Sequence, residues 1–176
     1  MSMAIPGGEA KAVAAPSLPI LAQALHWLTA ALVLALFGTG VMMKQLGEGP
    51  VADLLYLTHK TAGALLLCLV LVRIGYRLFA QLSGRWQKGA ASRPVHGLLY
   101  LGLLIVPLLG WAGASGFGAR TLLFGFSLPE IWSPEAGHAE QLLTIHAWVA
   151  FGLIALVVAH IGVALGDYLT RDAKAD

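Results

Sequence analysis

Charged side chains in this chain fall between long uncharged blocks. Lys11 and Lys44 enclose 32 uncharged residues, Arg93 and Arg120 enclose 26, and Glu140 and Asp167 enclose another 26. About 20 apolar residues cross a bilayer as a helix, so each block is long enough. A fourth block, near 54–79, is apolar in its middle, with Lys60, Arg73 and Arg77 toward its ends. Long basic side chains so placed can snorkel to the interface. The pattern predicts spans near 20–43, 54–79, 95–115 and 141–166. Lipid cannot satisfy a free backbone, and these runs lack the alternation of a membrane strand, so each span is read as a helix. The fold class expected is all-α, an integral membrane four-helix bundle over 20–166. Residues 1–19 are expected as a loose N-terminal tail, because Pro6, Gly7, Gly8 and Glu9 interrupt any apolar run there. Residues 167–176 are expected as a C-terminal tail.

Composition narrows the function. Of 176 residues, 58% are hydrophobic and 11% charged, against about 25% charged in an ordinary soluble domain. With a mean hydropathy of +0.78, this argues against a soluble enzyme, a nucleic-acid binder and a disordered chain. A net charge of +2 is too small for polyanion binding. Cys68 is the one cysteine, so there is no internal disulfide and no two-cysteine attachment site for a c-type haem. Between spans two and three, and on the adjoining end of span two, lie Arg73, Arg77, Arg85, Lys88 and Arg93 with no acid. Basic residues mark the cytoplasmic side, so that loop and both termini are expected there. The opposite side carries Lys44, Lys60 and Arg120 against Glu48, Asp53, Glu130, Glu135 and Glu140. Its long connection, 116–141, has the prolines and glycines of a structured cap.

Five of six histidines, His26, His59, His96, His146 and His160, lie in or at the edge of a span; His138 lies in a loop and is expected to be solvated. Intramembrane ionisable groups usually mark function. His146 and His160 are 14 residues apart, which at about 100° per residue is some 40° short of four turns. They therefore share a face, at depths about 21 Å apart. Antiparallel order pairs His26 with His160 in the cytoplasmic half and His59 with His146 in the outer half. Two facing imidazole pairs suit two bis-histidine haems inside a bundle. A closed zinc site wants four ligands together, which neither depth offers, and zinc stands as the second choice. Gly63 lies one turn from His59, and Gly40 lies 14 after His26, where absent side chains would admit a macrocycle edge. Arg73 lies 14 after His59, placed for a propionate carboxylate of the cytoplasmic haem. Lys60 could do the same at the outer haem, although a snorkelling anchor is the simpler role for Lys60 and Arg77. His96 has no partner left at its depth once His26 and His160 are used; a contact behind a ligand or a quinone hydrogen bond is open to it, and an interfacial histidine is the simpler reading. Trp27, Trp111, Trp132 and Trp148 fit an aromatic belt.

The segments ALHWLTA, THKTAG, LVRIGYRLF, RPVHGLLYLGLLIVPLLGW, FGFSLP and LLTIHAWVAFGLIALVVAHIGVAL occur in that order across residues 20–166. In these motifs the chain resembles the bacterial cytochrome b561 group, which shares its domain with b-type cytochrome subunits of nickel-iron hydrogenases. The resemblance implies two b haems per chain, with His26, His59, His146 and His160 as axial ligands. It also implies electron transfer in the bacterial inner membrane and ubiquinone or ubiquinol as redox partner. Some members oxidise superoxide; others relay electrons for a separate dehydrogenase or hydrogenase subunit. The chain departs from the family pattern just before span one, at Ser17 to Ile20, and just after span four, at Gly166-Asp167-Tyr168. A membrane anchor without activity of its own, and a haem-free transporter using the histidines for zinc or copper, are the other readings. No nucleophile-base pair, phosphate loop or acid pair suggests hydrolysis or group transfer.

Overall fold

The computed structural model describes residues 20–83, 93–134 and 137–172. The expected N-terminal tail, Arg85 and Lys88 of the basic loop, Glu135, and residues 173–176 lie outside the described residues, as does the side chain of Arg93.

Four helices follow in order: α1 (Ile20–Leu46), α2 (Pro50–Leu82), α3 (Arg93–Gly116) and α4 (Ala139–Asp172). All four are long and apolar enough to cross a membrane. Each outruns its expected span. The largest difference is in α4, where 167–172, expected to begin a tail, continue the helix. At 33 and 34 residues, α2 and α4 are about 50 Å long and exceed a hydrocarbon core of about 30 Å. Their polar ends therefore reach into the headgroup region. The turn from α1 to α2 is short because Gly47 and Gly49 adopt positive φ (72° and 128°) and Pro50 sits in the first turn of α2, where its missing N–H costs no helical bond. Pro107 lies inside α3 and leaves the Leu103 carbonyl without its helical donor. Packed membrane helices tolerate this.

Packing runs α1 to α2, α2 to α3 and α3 to α4. Ring contacts close the circle between α4 and α1: Phe37–Phe151 centroids are 5.1 Å apart and His26–His160 centroids 6.3 Å. The topology is up-down-up-down, with the start of α1 and the end of α4 on one side and the α3–α4 connection on the other. Lipid is as apolar as leucine, so helices associate here through close packing more than through water exclusion. Gly113 and Gly116 let α3 approach α4 closely, because Leu143 and Ala139 occupy the space that a Cβ would need. Val33, Leu36, Leu66, Val70, Leu103 and Leu153 form the buried cluster at mid-height. Many other large apolar side chains, such as Leu65, Leu71, Val158 and Ile161, are exposed and face lipid.

The connection between α3 and α4 folds as a cap. Thr121 and Ser127 form one antiparallel bridge around a short turn, Leu123–Gly125. Leu122 N–H donates to Phe126 O at 2.7 Å, and Leu128 N–H to Arg120 O at 3.0 Å. Ser115 is fully buried; its hydroxyl oxygen accepts from Ile131 N–H at 2.9 Å and its O–H donates to Trp132 O at 3.3 Å. The Trp111 indole N–H donates to Pro129 O at 2.9 Å, a tie more specific than the interfacial role expected of it.

Candidate functional site

The four helices place chemically distinct residues at matching stations. Each helix carries a station, a buried apolar residue seven positions on, and a second station seven beyond that. The series are His26–Val33–Gly40, His59–Leu66–Arg73, His96–Leu103–Gly110 and His146–Leu153–His160. Seven residues fall about 20° short of two turns, so each series holds one face of its helix. That face points inward, since Val33, Leu66, Leu103 and Leu153 are all in the buried cluster. Because neighbours run antiparallel, the stations gather at two levels. His59, His146, Gly40 and Gly110 lie at the cap-side level. His26, His160, His96 and Arg73 lie at the terminus-side level.

At the cap-side level the His59 and His146 ring centroids are 6.2 Å apart, with planes at 84°. Both rings are held from behind. His146 Nδ1 is 2.8 Å from Val106 O; a carbonyl only accepts, so Nδ1 carries the proton and Nε2 keeps its lone pair. His59 Nδ1 lies 3.2 Å from Thr39 Oγ1, whose own O–H is directed to Ala35 O at 2.9 Å. The His59 N–H therefore donates to the threonine oxygen. The two glycines make room for the rings themselves. A Cβ on Gly40 would come within 3.2 Å of His59 Cε1, and one on Gly110 within 3.1 Å of His146 Cε1. Gly110 is also one turn beyond Val106, so its bare backbone leaves the Val106 carbonyl open to the histidine. Gly63, the other glycine singled out by the sequence, faces open space.

Lys60 and Thr61 follow His59 directly and tie the cap to α2. Lys60 Nζ donates to Ala119 O at 2.8 Å, and Leu123 N–H donates to Thr61 Oγ1 at 2.9 Å. Lys60 thus ties α2 to the cap; the sequence had offered it a carboxylate of a bound group or, more simply, an anchoring role at the interface. Arg120 is held by Glu130 (3.3 Å) and donates to Leu128 O (3.2 Å).

At the terminus-side level the His26 and His160 centroids are 6.3 Å apart, with planes at 71°. Arg73 reaches this level, with one guanidinium nitrogen 3.5 Å from His26 Nδ1. Arg73 and Arg77 both lie over the Tyr100 ring, at 5.7 and 5.5 Å from its centroid. His96 also reaches this level. It is packed against His160, with ring centroids 5.1 Å apart. His138 is exposed beside the start of α4, as a solvated histidine would be.

The 14-residue spacing seen on α1, α2 and α4 also joins His96 to Gly110 on α3. That signal would have found both. Thr39, Tyr100 and the Val106 carbonyl have no comparable signature, because their roles depend on where neighbouring helices meet.

The donor set can be tested against haem. An imidazole nitrogen bonds a first-row metal at about 2.0–2.1 Å and lies roughly 1 Å from its ring centre, so two trans ligands have centroids about 6 Å apart. The 6.2 and 6.3 Å pairs fit. Among the described residues, no three His, Cys, Asp or Glu side chains converge on a point able to hold a bare metal ion. Two ligands alone suit an iron whose other positions are already filled by a macrocycle.

Comparison with known proteins points the same way. The sequence model of a family described as prokaryotic cytochrome b561 matches residues 17–172. Cytochrome b561 homolog 2 of Escherichia coli (strain K12) is 27% identical over 149 residues, covering 80% of this chain and 79% of that protein. Cytochrome b561 homolog 1 of the same organism is 30% identical over 160 residues, covering 84% and 88%.

Proposed function

This chain belongs to the prokaryotic cytochrome b561 family, and we propose that it is a di-haem electron carrier exchanging electrons with a membrane quinone. Family membership implies b-type haem in a bacterial membrane protein. Two per chain is our reading, with His59 and His146 holding the one near the cap and His26 and His160 the other. The observation that carries it is the repetition of a 6 Å imidazole pair at two levels, joined by α4.

Haem b, held by two histidines, would supply one-electron chemistry and leave no open site for oxygen. The rest belongs to the chain. Val106 O and Thr39 Oγ1 accept from the Nδ1–H groups of His146 and His59, which fixes ring orientation and leaves each Nε2 free to ligate. Arg73, at the other level, offers a fork suited to a carboxylate. The mid-height cluster fills the space between levels with apolar side chains. A quinone is the partner we favour because it is dissolved in the bilayer that surrounds these apolar helices. The cap-side end carries Lys44, Lys60 and Arg120 against Glu48, Asp53, Glu130 and Glu140, with Arg120 paired to Glu130, so its net charge does not favour an anion such as superoxide.

A pyridine-haemochrome assay on detergent-purified protein tests the reading: two haem b per chain are expected, and a colourless preparation from haem-replete cells would overturn it. His146→Ala should remove the cap-side haem and His160→Ala the other, each halving the haem content. Loss of the same haem in both variants contradicts the pairing. Reduction of the protein by a short-chain quinol, followed at the haem α-band, tests the partner.

A further inference from the structure

The helices supply a depth scale. Val33 and Leu66 are the middle residues of α1 and α2, and Leu103 and Leu153 lie within three residues of the middle of α3 and α4. The nearest acids on the helices are spaced evenly about this layer. Asp53 and Glu140 stand 13 residues from Leu66 and Leu153 toward the cap, and Asp167 stands 14 residues from Leu153 the other way. At 1.5 Å per residue each is about 20 Å away, so a hydrocarbon core of about 30 Å centred on the layer excludes all three.

On this scale the α3–α4 connection dips. It leaves α3 at Gly116, 13 residues or about 20 Å from Leu103. Leu123 N–H then reaches Thr61 Oγ1 at 2.9 Å, and Thr61 is five residues, about 7.5 Å, from Leu66. The chain rises again to Pro129, whose carbonyl meets the Trp111 indole, and to Ile131, whose N–H meets Ser115 Oγ. Trp111 and Ser115 stand eight and 12 residues from Leu103, about 12 and 18 Å. The turn Leu123–Gly125 therefore lies deeper than both arms, within the roughly 15 Å of one leaflet's hydrocarbon. Lys60, at a similar depth, extends its amine to Ala119 O on the descending arm.

The chemistry suits that depth. Residues 121–129, TLLFGFSLP, carry no charge, and the flanking Arg120 and Glu130 pair with each other at 3.3 Å. Irregular backbone in lipid needs partners for its polar groups. Here Leu122 N–H donates to Phe126 O, Leu128 N–H to Arg120 O and Leu123 N–H to Thr61. Phe124 and Phe126 are 92% and 71% exposed, as the lipid-facing Leu65 and Val158 are exposed. We propose that residues 121–128 form a re-entrant hairpin whose Phe124 and Phe126 rings insert among the lipid acyl chains of the cap-side leaflet. Because it is bonded to Lys60 and Thr61, directly after His59, lipid rather than water borders this flank of α2 at the cap-side level.

Photolabelling of the wild-type holoprotein in phosphatidylcholine vesicles tests this, using an apolar diazirine that partitions into hydrocarbon and glutathione in the water as scavenger. Mass spectrometry should find label on 121–128, as on Leu65 and Val158, and none on 137–138. A second measurement reads the aqueous side. Phe124→Cys, Phe126→Cys, Leu65→Cys and His138→Cys, each with Cys68→Ser, are treated with a charged maleimide admitted to both faces of the vesicles. Only a thiolate reacts, and a thiol in hydrocarbon does not ionise. Phe124→Cys and Phe126→Cys should react as slowly as Leu65→Cys, and far more slowly than His138→Cys. Reaction at the rate of His138→Cys would place the tip in water and overturn the proposal. Slow reaction without photolabel would mean that a second copy covers the tip, and overturns it too. Neither readout uses haem, so the outcome is independent of the di-haem reading.

Discussion

Gly110 shows how much can depend on an absent side chain. Its Cβ would press on the His146 ring and stand over the carbonyl to which that ring bonds. Overpacking of this kind costs about 1–3 kcal/mol. Gly110→Ala should therefore lower occupancy of the cap-side haem, read as up to half the haemochrome signal, with the four helices intact by circular dichroism. Gly40→Ala should do the same more mildly, since its nearest contact is one atom, His59 Cε1. Thr39→Val removes the oxygen behind His59, and loss of one such hydrogen bond is worth about 1 kcal/mol. The cap-side haem of that variant should be released by chaotrope before its partner. In the cap, Phe124 holds a positive φ of 62° while 92% exposed. The left-handed region costs a non-glycine residue about 1–2 kcal/mol, so Phe124→Gly should slow proteolysis of the cap without altering haem content. His26, His59, His146 and His160 were legible as candidates because charge is scarce in spans and 14-residue spacing is easy to see. Thr39 and Val106 were not, because a hydroxyl or a carbonyl becomes specific only when a ring from another helix arrives.

At the scale of helices, the expected and observed elements agree in number and order among the described residues. The differences are at the ends, where uncharged length understates helices that continue through interfacial polar residues. In α4 the six further residues include Asp167, which marked the end of the uncharged block but not of the helix. A single charge near the headgroups does not stop a backbone already paired within its own turn. Leu153, midway between His146 and His160, joins α4 to the buried cluster. Leu153→Ala opens a void against α3, where its side chain fills the space beside Gly102. A core truncation of this kind costs about 2–5 kcal/mol. The variant should lose both haems at a lower temperature than the wild type, in one transition, because it loosens both levels together. Two separate transitions, with only one level affected, would show that the levels are not coupled through α4.

At the scale of the molecule, the four described helices leave the start of α1 and the end of α4 on one side, which is the cytoplasmic side if basic residues mark it. A periplasm-dependent phosphatase fused after Asp176 should be inactive, while the same enzyme inserted in the cap should be active. Reversal of both results would invert every assignment of outer and inner made from Arg73, Arg77 and the basic loop.

The mid-height layer has one more bearing on how such a protein would work. Val33, Leu66, Leu103 and Leu153 present no group able to pass a proton along. Charge hopping from one level to the other would cross this part of the membrane uncompensated. Transmembrane voltage acts on such a movement with about 2.3 kcal/mol per elementary charge per 100 mV over the full dielectric. The rate between levels would then depend on how well the cell is energised, faster with the field and slower against it.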